Sequence, residues 1–88
     1  MKIREGFMLR EIADIWVVVP LGQRVVEFNG IMTLSETGAF IWRLLEGGAE
    51  VDNIIDSIMH EYEIDRATAK EDIEEFIGHI SEKGLILQ

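Results

Sequence analysis

The side chains of this sequence that could do chemistry are two histidines, a number of carboxylates and a few serines. His60 is followed by Glu61, as in the helical motif that puts two histidines on zinc, but position 64 is Ile and the second histidine is missing. Asp56 and His60 stand four apart and can share a helix face. Two potential ligands fall short of a metal site. His60 and His79 therefore read as surface or boundary residues. Glu74-Glu75 resembles an acid–base pair only in composition, because neighbours on a helix point about 100° apart. A solvated face is the simpler reading. Ser35, Ser57 and Ser81 have no base at an interpretable spacing, although a triad can be dispersed along a chain. Gly47-Gly48 has no phosphate-binding context and reads as a helix stop. There is no cysteine, which removes disulfides, thiolate metal sites and a cysteine nucleophile. These residues point away from an enzyme, and no metal or cofactor is expected.

The elements that would carry these residues have to fit in 88 positions, enough for one domain, residues 1–88, with a modest core and little room for a deep cavity. The hydrophobic fraction of 48% supports a folded core. The longest apolar run, Ile15 to Pro20, is far below the ~20 residues of a membrane span. Met1-Lys2-Ile3-Arg4-Glu5-Gly6 lacks the apolar centre of a signal peptide. The expectation is a cytoplasmic protein without a membrane partner. The net charge is −9, and residues 46–88 carry all of it, with twelve acids against three bases. Such a half repels phosphate and argues against a nucleic-acid partner.

Phe7 to Ile12 alternates bulky side chains and reads as a strand. Ala13-Asp14 can turn, and Ile15 to Val19 is β-branched and aromatic, as a buried strand is. After the turn signal Pro20-Leu21-Gly22-Gln23, Arg24 to Phe28 reads as a third strand of an antiparallel meander. Asn29-Gly30 is a strong hairpin signal that would make Ile31 to Leu34 a fourth strand. That segment runs straight into a helix start, which favours a short extended connection instead.

The remainder is helical. Ser35 caps a helix from Glu36 to about Glu46 with Phe40, Ile41, Leu44 and Leu45 on its apolar stripe. A second helix covers about Val51 to Glu63. Asp65 caps a third, Arg66 to about Lys83, with Ala69, Ile73, Phe76, Ile77 and Ile80 as its stripe. Leu85-Ile86-Leu87 is an apolar tail expected to pack back on the core. Trp16 reads as core or boundary. Trp42 is best placed against the sheet, with half-exposure toward a partner as the alternative. Three strands followed by three helices make an α+β, winged-helix-like domain.

In a three-stranded meander the outer strands are edges, and an open edge accepts another strand unless charge, proline or a bulge blunts it. Val25-Val26 and Phe28 do little to disguise the edge expected at Arg24–Phe28, which makes it a candidate for strand addition by a peptide.

Leu9-Arg10-Glu11-Ile12-Ala13, Val17-Val18-Val19-Pro20-Leu21-Gly22, Phe28-Asn29-Gly30, Leu34-Ser35-Glu36-Thr37-Gly38 and Ile41-Trp42-Arg43-Leu44-Leu45-Glu46-Gly47 follow one another, and Asp72-Ile73-Glu74-Glu75-Phe76-Ile77 and Lys83-Gly84-Leu85-Ile86 continue the series. Over about residues 6–87 the chain resembles the PqqD family, named for pyrroloquinoline quinone biosynthesis protein D. The resemblance implies a non-catalytic domain that binds the leader of a ribosomally made precursor peptide and presents it to a modifying enzyme, often a radical S-adenosylmethionine enzyme. It implies that the leader adds to the third strand and lies against the third helix. Carried onto this sequence, the strand is Arg24, Val25, Val26, Glu27 and Phe28, and the groove wall is Lys70, Ile73, Glu74 and Ile77. Ile73 and Ile77, four apart, share a helix face that either meets the ligand or belongs to the core. The chain departs from the family at Ala13-Asp14-Ile15, where glycine is common, and at Glu50, where Ser or Thr would cap better.

The alternatives are a structural or regulatory subunit of an enzyme complex and a DNA-binding winged helix. The last is disfavoured by six acids against three bases in residues 65–83, the helix that would enter the major groove.

Overall fold

The computed structural model describes residues 1–28 and 30–87. In chain order the elements are β1 (Lys2–Ile3), β2 (Phe7–Ile12), β3 (Ile15–Pro20), α1 (Arg24–Glu27), β4 (Met32–Leu34), α2 (Glu36–Glu46), α3 (Val51–Tyr62), α4 (Arg66–Glu82) and β5 (Ile86–Leu87). The architecture is the expected α+β arrangement, a three-stranded antiparallel sheet in the order β2-β3-β4 followed by helices.

β2 and β3 form a hairpin around Ala13 and Asp14, both in the left-handed region at φ 51° and 66°. Two such residues make the turn whose twist suits adjoining strands. Asp tolerates that backbone, while Ala adopts it at a cost. The sheet's inner face brings Val18, Met32 and Leu34 onto α2, α3 and α4, whose buried residues include Ile41, Trp42, Leu45, Ile54, Ile55, Ile58, Ala69, Ile73 and Ile80. Trp42 is fully buried within this core, which removes the alternative of a half-exposed ring turned toward a partner.

The helix starts follow from local chemistry. Ser35 Oγ accepts the Gly38 N–H at 3.0 Å, and an Asp65 carboxylate oxygen accepts the Thr68 N–H at 3.3 Å, each satisfying an amide that the first helical turn leaves free. Glu50 stands at the start of α3 without a side-chain cap bond. The tail packs as expected, with Leu85 fully buried. Its continuation as β5, pairing antiparallel with β1, was not anticipated. The Arg4 N–H donates to the Leu85 carbonyl at 2.9 Å beside that pair.

The third strand is the main correction. Arg24–Glu27 is a helical turn, and the sheet's third strand is Met32–Leu34, which pairs with β3 through Trp16–Leu34, Val17–Thr33 and Val18–Met32. The amides of Arg24, Val25 and Val26 each donate three residues back, to the carbonyls of Leu21, Gly22 and Gln23. The Arg24 side chain fastens this turn. Its Nε donates to the Glu5 carbonyl at 3.1 Å, its guanidinium pairs with Glu27 at 2.8 Å, and it sits 5.9 Å from the Phe7 ring centroid. Phe28 then meets Phe7 edge to face at 5.4 Å. Strand propensity in Val25-Val26 is overridden by these contacts, as it often is for short segments. Of the Asn29-Gly30 turn signal, Asn29 lies outside the described residues.

Candidate functional site

β4 follows from an alternation of side chains. Met32 and Leu34 point inward and are buried, while Ile31 and Thr33 are exposed. One side of β4 is bonded to β3, and among the described residues no strand pairs with its other side. A groove of about 380 Å³ separates β4 from α4. Its lining includes Met32, Ile41 and Ile80 as apolar floor, half-buried Phe76, and Asp72, Glu75 and His79 along the α4 rim. Positions 72, 75, 76, 79 and 80 recur at helical spacing, so a single stripe of α4 faces the strand. Phe76 lies over α2 where that helix has no side chain: a Cβ at Gly38 would stand 3.1 Å from Phe76 Cε1.

A second groove, of about 650 Å³, meets the first at Thr33–Ser35 and runs under the hairpin toward α2 and α3. Arg43 stacks 4.4 Å from the centroid of Trp16. Phe40 and Tyr62 meet edge to face at 5.7 Å. Burial, and then the neighbouring Glu36 and Glu61 carboxylates, raise the Tyr62 pKa above the ordinary tyrosine value. Glu11 and Asp14 also border this groove.

The residues expected at the site are dispersed. Arg24, Val25, Val26, Glu27 and Phe28 contribute no strand edge; Val25 and Val26 are exposed on α1, and Arg24 and Phe28 hold that turn against Phe7. On α4, Ile73 is fully buried, so its face is core. Lys70, Glu74 and Ile77 are not part of the groove lining. Lys70 and Asp72 are two residues apart, about 160° around the axis, so they stand on opposite flanks of the helix. Ile77 packs partly buried against the core cluster. The residues that line the groove, Met32–Leu34 with Asp72, Glu75, Phe76 and His79, were not selected from sequence. The Asn29-Gly30 hairpin signal offered Ile31 to Leu34 as a strand, and the short extended connection favoured instead is corrected by the pairing of Met32–Leu34 with β3.

The other chemical candidates also have places. His60 is exposed, and Asp56 pairs with Arg66 at 3.3 Å. Among the described residues no group of three His, Cys, Asp or Glu side chains could hold a metal ion. No helix of the described residues is long and apolar enough to cross a membrane. What the arrangement offers is a row of backbone donors and acceptors beside apolar pockets with a charged rim, the equipment of recognition by strand pairing.

Fold and groove together define a winged-helix-like domain with an open strand edge laid along a helix. A family model described as coenzyme PQQ synthesis protein D (PqqD) matches residues 16–86. The chain belongs to the PqqD family. Among solved structures it is similar to TbiB1 in complex with the TbiA(beta) leader peptide, at 32% identity, covering 97% of this chain and 93% of that one with a TM-score of 0.76. It is also similar in fold to lasso peptide synthetase B1 complexed with the leader peptide, at 21% identity, covering 99% and 96% of the two chains with a TM-score of 0.76. No curated protein matches.

Proposed function

We propose that this chain is a non-catalytic recognition domain that binds the leader segment of a ribosomally made precursor peptide and presents it to a modifying enzyme. The observation that carries the reading is the free edge of β4 lying along an apolar groove in a member of the PqqD family. Two similar structures hold leader peptides, which supports the ligand class. The docking edge is then Met32–Leu34, in place of Arg24–Phe28, with the Asp72–Ile80 stripe as the facing wall. The modifying enzyme is a radical S-adenosylmethionine enzyme, and the complex works in the cytoplasm.

Magnitudes assign the parts. A strand added to three residues gains two or three backbone bonds, each worth about 1 kcal/mol net. Micromolar affinity is about 8 kcal/mol net, so the contacts must supply that and the association costs as well. Side chains of the leader must therefore supply most of the binding, at roughly 1.5–3 kcal/mol for each apolar residue that becomes fully buried. Met32, Ile41, Phe76 and Ile80 are the surfaces on which that burial takes place. Calorimetric titration with the leader of its cognate precursor peptide tests the proposal. The expected Kd is on the order of nM to μM. Absence of binding at ~100 μM peptide, equivalent to about 5.5 kcal/mol, would overturn it.

A further inference from the structure

The two grooves that meet at Thr33–Ser35 share one electrostatic character. Asp72 and Glu75 border the first, and Glu11, Asp14, Glu36 and Glu61 border the second. None of the six has an ion-pair partner among the described residues. Arg43 is the one arginine or lysine in the two linings, and its guanidinium is stacked on Trp16. The chain's arginines that do form ion pairs, Arg24 and Arg66, neutralise Glu27, Asp52 and Asp56, none of which lines either groove.

From this lining we infer that the segment accepted along β4 is a basic peptide, with apolar side chains on the groove floor and lysines or arginines between them facing the carboxylates. The inference rests on the peptide-binding reading and names the chemistry of its ligand. In an extended chain successive side chains point to opposite sides. Those of one parity enter the groove, where apolar ones meet Met32, Ile41 and Phe76 and long basic ones reach the Asp72 and Glu75 rim. A groove lined by charge of one sign concentrates an oppositely charged ligand and speeds its encounter, an effect that salt screens. The Tyr62 pKa is raised first by burial and then by Glu36 and Glu61, which places those two carboxylates close to the ring at the inner end of the track. An acidic peptide would place like charges together in both grooves, and rejecting it is part of the selectivity.

The test is selection from a displayed library of random strand-length peptides on the full chain at low salt, repeated with Glu75→Lys. The expected result is enrichment of peptides that combine apolar residues with lysine or arginine. Their affinity should fall several-fold at physiological salt and by about fivefold in the D72N/E75Q double variant, two exposed positions whose loss leaves the fold intact. Glu75→Lys should shift enrichment toward acidic residues. Binders that use the groove but show no preference for cations, or that are indifferent to E75K, would overturn the inference and leave the peptide-binding reading standing. Recovery of no binder from any arm would overturn both.

Discussion

Asp65 shows how much one surface side chain can do for a helix. The Thr68 hydroxyl donates to its carboxylate at 2.6 Å, and the Thr68 N–H donates to it at 3.3 Å. These bonds favour the ionised form and lower the Asp65 pKa from the ordinary value of 3.8. In the unfolded chain that support is absent, so near pH 3–4 the unfolded state binds more protons than the folded one. The cap's contribution is complete above about pH 4 and is lost as pH falls through the depressed folded value. Asp65→Asn keeps an acceptor but removes the titration, so the variant's Tm should fall less steeply than the parent's below about pH 4. Equal slopes in thermal melts would contradict the assignment. Gly38 separates packing from binding. Alanine there gains roughly 1 kcal/mol of helix propensity, but its Cβ would sit 3.1 Å from Phe76 Cε1 and drive that ring toward the groove. Gly38→Ala should leave Tm nearly unchanged or raised while weakening leader binding several-fold. Unchanged affinity by calorimetry would remove Phe76 from the site.

At the scale of elements, legibility follows how local the determinants are. The helices are readable because each start has its own cap and each core face its own stripe: Ser35 with Phe40, Ile41 and Leu45, and Asp65 with Ala69, Ile73 and Ile80. The β2–β3 hairpin is readable because its turn and its alternation lie within fourteen residues, Phe7 to Pro20. Arg24–Phe28 was misleading because its helical turn depends on Arg24 reaching Glu5 and on Phe28 meeting Phe7, contacts about twenty residues away in sequence. The proposed docking edge moves with that strand. Once the strand edge is at Met32–Leu34, the facing stripe of α4 is the flank bearing Asp72 and Glu75, and the flank bearing Lys70 and Glu74 turns elsewhere. Substitutions on the two flanks should therefore differ. Lys70→Ala, Glu74→Ala and Val26→Asp should leave leader affinity within about twofold, because exposed surface changes away from a ligand are nearly neutral. Phe76→Leu should weaken it by roughly tenfold, the equivalent of about 1.4 kcal/mol. Equal losses across both flanks by calorimetry would mean that α4 does not present a single binding stripe.

At the scale of the molecule, the division of labour runs along the chain. The sheet supplies an edge, the helices supply a core and one groove wall, and the excess negative charge of residues 46–88 sits largely on helix surfaces. That charge was legible from composition, and it opposes duplex DNA wherever the ligand docks. An open strand edge beside the last helix was legible as a feature of the fold, while its position required the tertiary contacts that select which segment becomes the third strand. Backbone amide resonances report that position most directly, by titrating the isotope-labelled chain with the leader of its cognate precursor peptide. The largest shifts should fall on Met32–Leu34 and on Asp72–Ile80, with slowed hydrogen exchange at the β4 amides that become bonded to the added strand. Shifts concentrated on Arg24–Phe28 or on the β2 edge, with β4 unchanged, would contradict strand addition at this groove.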